Sequence, residues 1–190
     1  MRPRTPFAAL AAALLAVLAV GCSNSEDLGP LGDPTAAQHR IDSLIDGTVK
    51  AITPAVTPPQ YIGFTYGEER GAFGKETGYA EVKRQGFLAE RIADGKEVVL
   101  LDQVEEYWRA LGCTVETGEG SGGRWKYASA TCPDKAHVTV GVESGLATIT
   151  ASVEKTKLRS GGDPFPDTQT PLPLASVTPA GQQDDPYWSH

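Results

Sequence analysis

The chain is poor in the residues that build most metal and nucleophile sites. Its 190 residues include three His, three Cys and one Met. His39, His137 and His190 have no partner at the spacing of H-E-x-x-H, and no C-x-x-C occurs, so the common zinc patterns are excluded. No G-x-S-x-G elbow is present, and nucleophilic catalysis needs a Ser, Cys or Thr with a base in reach. Basic residues are also short, at 17 Lys+Arg against 24 Asp+Glu. Without residues 1–21, which carry Arg2 and Arg4, the balance is 15 against 24, a net charge of −9. Nucleic-acid affinity rests on Lys and Arg neutralising phosphates, so a nucleic-acid partner is not expected. A polybasic grip on anionic headgroups is disfavoured for the same reason. Beyond residue 20 no apolar run is long enough to span a bilayer.

What is present begins with the leader. Met1-Arg-Pro-Arg-Thr-Pro6 is basic, residues 7–20 are apolar, and Gly21-Cys22-Ser23-Asn24 follows. This order describes a secretory signal peptide, and its apolar run is shorter than the roughly 20 residues of a transmembrane helix. Leu18-Ala19-Val20-Gly21-Cys22 resembles a bacterial lipobox, departing from it at Ala19, where Leu is usual. The resemblance implies that residues 1–21 are removed, that Cys22 carries a diacylglycerol anchor with further acyl chains such as palmitate, and that the chain sits on the extracellular face of the cell membrane. Each buried CH2 contributes about 0.8 kcal/mol to such an anchor. The alternative is a plain secreted protein with Cys22 as a free thiol.

With Cys22 assigned to lipid, Cys113 and Cys132 remain, an even number in an exported protein. An oxidising compartment allows a disulfide between them, closing a loop of about 20 residues worth roughly 3 kcal/mol. Two unpaired buried thiols are the alternative.

Composition divides the chain. Residues 22–33 are polar and rich in Gly and Pro, as a flexible tether requires. Asp33 and Pro34 predict a helix N-cap and first turn, and Ile41, Leu44, Ile45, Thr48 and Ile52 recur at helical spacing. Gly47 costs this helix up to about 1 kcal/mol relative to Ala, so packing must hold it. Residues 60–69 alternate Ile62, Phe64 and Tyr66 on one face, and residues 79–85 place Ala80 and Val82 on one side, predicting a long-looped hairpin. Residues 97–112 predict a second helix with Leu101, Val104, Trp108 and Leu111 on its core stripe and Gly112 as C-cap. Short strands follow over residues 113–117, 124–132, 137–143 and 146–153, with Ser144-Gly145 as a two-residue hairpin turn. The expected fold is α+β, in the order α-β-β-α-β-β-β-β. About six antiparallel strands carry two helices on one face. The folded domain is expected over residues 34–158, and the proline-rich acidic stretch 159–190 is expected to be a disordered tail.

Other motifs read as structural. Gly118-Glu-Gly-Ser-Gly-Gly123 has the letters of G-x-G-x-x-G, but a strand pattern follows where a phosphate site needs a helix, so a hairpin loop is expected. The neighbours Glu68-Glu69, Glu105-Glu106 and Asp184-Asp185 point different ways on a helix or strand and form no acid/base pair by adjacency. Trp125 and Tyr127 share a strand face with Ser129 and Thr131, opposite Ala128, Ala130 and Cys132, so one of the two faces is wet. Core packing is the expectation for the aromatic pair; were its face the wet one, it would be a ligand or partner surface. Tyr187 and Trp188 near the acidic C-terminus are expected to belong to an inert tail, with a short docking motif as the alternative.

The leader, the helix of residues 100–112 (LLDQVEEYWRALG) and the valine-rich strands after it resemble small actinobacterial lipoproteins of uncharacterised function. The single Asn, Asn24, and the abundance of Ala, Gly and Pro suit a GC-rich genome. The resemblance implies a location and a fold and supplies no catalytic residues or cofactor. The expectation is therefore a non-enzymatic, lipid-anchored binding module for a cell-envelope protein or wall component. The alternatives are a carrier of an apolar ligand near Trp108 and a cell-envelope hydrolase.

Overall fold

The computed structural model describes residues 32–157 and 183–190. The expected signal segment, Cys22 and the expected tether up to residue 31 lie outside the described residues, as do residues 158–182.

Helix α1 (Pro34–Ala51) starts as its sequence dictates: the Asp33 carboxylate accepts from the backbone N–H groups of Thr35 and Ala36, and Pro34 occupies the first turn. Its stripe of Ile41, Leu44, Ile45 and Thr48 is buried. Gly47 has a packing reason, because a Cβ there would collide with the Tyr107 side chain lying against the helix. Helix α2 (Lys96–Ala110) buries Leu100, Leu101, Val104 and Trp108. Leu111, expected on this stripe, is exposed, because the helix stops one residue earlier and Gly112 turns the chain away with φ +78°.

Strands β1 (Gln60–Arg70), β2 (Glu76–Arg91), β3 (Thr114–Glu119), β4 (Trp125–Thr131), β5 (Ala136–Glu143) and β6 (Leu146–Lys157) form one antiparallel sheet. Their spatial order is β1-β2-β6-β5-β4-β3. The α+β class, element order and strand count match the sequence pattern. A register shift between Tyr61 and Phe64 brings both rings against the core, where strict alternation had predicted Phe64 alone of the two. The Ile62 side chain lies outside the described residues.

Strand β2 runs six residues beyond its predicted end. Another register shift, between Phe87 and Arg91, leaves Leu88, Ala89 and Glu90 all buried, and a run without alternation carries no period-2 signal. The buried Glu90 accepts at Oε1 from the Thr57 N–H at 2.7 Å.

Both helices cover the same face. Ala80 and Val82 of β2, Ala128 and Ala130 of β4, Val138, Val140 and Val142 of β5, and Ala147, Ile149, Ala151 and Val153 of β6 meet them there. Small residues on β4 and branched ones on β5 fit helices lying close to the sheet. At the helix junction the buried Trp108 Nε1–H donates to Thr48 Oγ1 at 2.8 Å, and the Thr48 hydroxyl donates to the Leu44 carbonyl at 2.7 Å. Cys113 and Cys132 form a disulfide that closes the open end of the β3–β4 hairpin, one residue outside the Thr114–Thr131 pair.

The C-terminal expectation is corrected over residues 183–190. Gln183 makes a parallel bridge to Glu90, with backbone hydrogen bonds to Ala89 and Arg91. The Asp185 carboxylate accepts from the N–H groups of Tyr187 and Trp188, closing a tight turn. Trp188 is fully buried; its Nε1–H donates to the Pro54 carbonyl at 3.0 Å and its own carbonyl accepts from Ala93. Arg91 pairs with Asp184, and the Ser189 hydroxyl donates to the Arg91 carbonyl. The segment is thus part of the core, because burying one indole outweighs the ordering of a few residues. The rest of the expected tail, residues 158–182, lies outside the described residues.

Two stability predictions follow from this packing. In non-reducing buffer Cys113→Ser is expected to lose about 3 kcal/mol of unfolding free energy, and the difference should vanish under reductant. Trp188→Ala is expected to cost about 3–5 kcal/mol by denaturant titration, as for other buried aromatics; an unchanged midpoint would show that the C-terminal segment contributes nothing.

Candidate binding face and the polar cleft beside it

With both helices on one side, no helix among the described residues covers the other face of the sheet. Register places Trp125, Tyr127, Ser129 and Thr131 of β4 on it, beside Glu116 of β3, His137, Thr139 and Glu143 of β5 and Thr148 and Thr150 of β6. The expectation that Trp125 and Tyr127 pack in the core is therefore corrected: Trp125 is 39% exposed, and Tyr127 is half-buried. The alternation that buries Ala128, Ala130 and Cys132 leaves the aromatic pair no other side.

Three glycines make room for these rings. A Cβ at Gly118 would stand 2.5 Å from the Tyr127 hydroxyl, one at Gly120 2.7 Å from the Trp125 ring, and one at Gly141 2.5 Å from Trp125 Nε1. The rings lie near-parallel, their centroids 4.6 Å apart. Around them the face is hydroxyl-rich: Ser129 and Thr139 share a 3.0 Å hydrogen bond across β4 and β5, and Thr131 bonds His137 Nδ1 at 3.1 Å. Glu116 and Glu143 are both exposed. The sequence marked Trp125 and Tyr127 but not the glycines, which read as a loop and an ordinary strand residue. Their signal was positional, since Gly118 and Gly141 both fall opposite Tyr127.

On the helix side of β4, the start of α2 and the β5–β6 turn enclose a cleft of about 290 Å³ that gathers Asp94, Glu97, Arg124, Lys126 and Ser144. Lys126 Nζ and Glu97 Oε1 pair at 2.5 Å. Burial disfavours the charged Glu97 carboxylate, but the Lys126 ammonium and backbone N–H groups at the helix start outweigh it, so the carboxyl is held below its ordinary range. The hydrogen bond from Lys126 to Glu97 raises the lysine in turn, against a smaller effect of burial. No histidine lines the cleft. A shallower cleft of about 210 Å³ lies between α2 and β3, and Trp108 lines neither.

The remaining candidates are dispersed. His39 and His190 are exposed on α1 and at the C-terminus, and His137 lies on the open face. Glu105 pairs with Arg109, Glu69 with Lys155, and Asp184 with Arg91. At the other edge Arg84 pairs with Asp42 and stacks over Tyr61 and Phe64; burial and Asp46 raise the Tyr61 phenol. The loop of residues 118–123 leads into β4, as its strand pattern requires, and presents no helix N-terminus to a phosphate. Among the described residues no group of three His, Cys, Asp or Glu side chains is placed to hold a metal ion, and no helix is long and apolar enough to cross a membrane.

No protein-family model, curated protein or solved structure matches the chain.

Because the folded Glu97 carboxyl titrates below its unfolded value, its contribution is complete above the ordinary Glu range near pH 4.3 and is lost as pH falls through the folded value. Glu97→Gln is therefore expected to lose less stability than the parent between pH 7 and pH 3. Parallel acid limbs in denaturant titrations would show that the pair carries no such linkage.

Proposed function

We propose that this chain is a lipid-anchored, non-enzymatic binding module of the extracellular membrane face that engages a cell-envelope protein or wall component through the open face of its sheet. The observation that carries the binding reading is the Trp125–Tyr127 pair, stacked and solvent-reaching over Gly118, Gly120 and Gly141. Large aromatic rings left in water on an otherwise polar face are the usual anchors of recognition surfaces, because they bury much area for little entropy. The lipobox-like Leu18–Cys22 sequence supports anchoring, and the Cys113–Cys132 disulfide suits an exported chain.

A hydrolase is the second reading, favoured by the ionisable groups gathered in the cleft beside Lys126. Among the described residues neither Asp94 nor Glu97 is hydrogen-bonded to the Ser144 hydroxyl, Glu97 is held by Lys126, and no imidazole lines the cleft. The carrier reading finds little support, since Trp108 is sealed in the core and hydrogen-bonded to Thr48.

The test uses a photo-crosslinking amino acid in living cells. Placed at Tyr127 or Thr139, it is expected to give one discrete adduct, absent from a control placed at the exposed Glu106 on α2 and lost on Trp125→Ala. Adducts equally strong from the α2 position would rule out the open face as the contact surface.

A further inference from the structure

The tip of the β1–β2 hairpin carries the most exposed large apolar side chain among the described residues. Phe73 is fully exposed, on the turn between Arg70 and Glu76, and its backbone is held in the left-handed region at φ +63°. That conformation is uncommon for an aromatic residue, and here the turn holds it through hydrogen bonds from the Gly74 N–H to the Gly71 carbonyl and from the Gly71 N–H to the Lys75 carbonyl, with the ring left outside the packing. Arg70 and Lys75 flank the tip, are exposed, and have no ion pair among the described residues. An apolar side chain at the apex with cations a few residues behind it is the arrangement that places a ring among acyl chains and the charges among lipid headgroups.

The position of the tip gives this chemistry a partner. Strand β6 ends where Lys157 pairs with Tyr79 of β2, and the Lys157 N–H donates to the Gly32 carbonyl at 2.8 Å. The chain therefore enters the domain at the end of the sheet from which the hairpin projects, three residues of β2 beyond Tyr79. Nine residues separate Gly32 from Cys22, a reach of at most about 35 Å even when fully extended. A bilayer holding acyl chains on Cys22 is thus within reach of Phe73.

We infer that the β1–β2 hairpin tip is a second membrane contact, inserting Phe73 into the outer leaflet of the bilayer that holds the lipid anchor, with Arg70 and Lys75 at headgroup level. This rests on anchoring at Cys22. The contact is apolar first, in keeping with a chain too acidic for a polybasic grip. Together with the acyl chains it supplies a further point of attachment, which restricts how the domain turns above the surface.

The experiment uses the acylated full chain purified from membranes and reconstituted into phosphatidylcholine–phosphatidylglycerol vesicles with or without dibrominated acyl chains. Trp108 and Trp188 are fully buried and Trp125 lies at the other end of β6, so the parent gives a low background. Phe73→Trp is expected to show at least twofold more bromolipid quenching than the parent, with blue-shifted emission. Phe73→Trp combined with Arg70→Glu and Lys75→Glu should lose at least half of that excess. Quenching no greater than the parent's, in a sample whose Cys22 acylation is confirmed by mass spectrometry, would overturn the insertion and leave the anchor standing. An unacylated Cys22 in membrane-purified protein would remove the anchor on which both rest. A blue shift without vesicles, with dimers in sedimentation that Phe73→Ser converts to monomers, would overturn the membrane in favour of a second copy.

Discussion

A single buried hydrogen bond sets the plan of this domain. An indole N–H enclosed in an apolar core must find an acceptor, and for Trp108 that acceptor is the Thr48 hydroxyl on the facing helix. The Thr48 proton goes to the Leu44 carbonyl of its own helix, so the chain of bonds closes without leaving a polar group unpaired. This link and the apolar stripes around it hold α1 and α2 side by side on one face of the sheet. Neither helix is free to cover the other face, and around Trp125 and Glu143 that face reaches water. Its Ser and Thr ladder, and the exposure of Trp125, follow from where the helices lie.

The division also explains which features were legible in the sequence. Helix α1 announced itself through Asp33-Pro34 and the spacing of Ile41, Leu44, Ile45 and Thr48, because a cap and a one-sided stripe are local properties. The strands of the second half were legible for the same reason, as valines and alanines alternated with polar residues. The sheet order, the pairing of β2 with β6 and the coverage of one face by both helices needed the whole chain. The aromatic pair of β4 was ambiguous at that level: two faces offered either rings or alanines, and hydrophobicity favours rings inside. The deciding fact is register, since Ala128, Ala130 and Cys132 take the side covered by the helices and the two rings fall on the other.

The C-terminus is the instructive miss. Asp185-Pro186 repeats the Asp-Pro signature that opened α1, and in both places the Asp carboxylate caps a turn. It went unread because no periodic stripe followed. Eight residues suffice here since a single indole, one hydrogen bond to Pro54 and a short bridge to β2 fix the segment. The far end of β2 is hidden for a related reason: a bulge erases alternation over Leu88, Ala89 and Glu90, three consecutive buried residues. Neither the glycines beneath Trp125 nor the grouping of Glu97 and Lys126 carries a local signature, since each is defined by a neighbour on another element.

The bond between Lys157 and Gly32 fixes a direction as well as a contact. From that bond β6 runs back twelve residues to Leu146, a span of roughly 36 Å at about 3.3 Å per residue. Leu146 pairs with Glu143, which in turn pairs with Trp125. On the proposed anchor at Cys22, the sheet would stand on end like a post with its aromatic pair at the far end from Gly32. Under the proposed anchoring the domain would act as a spacer as much as a receptor, its strand length setting the height above the bilayer at which the proposed partner would be met.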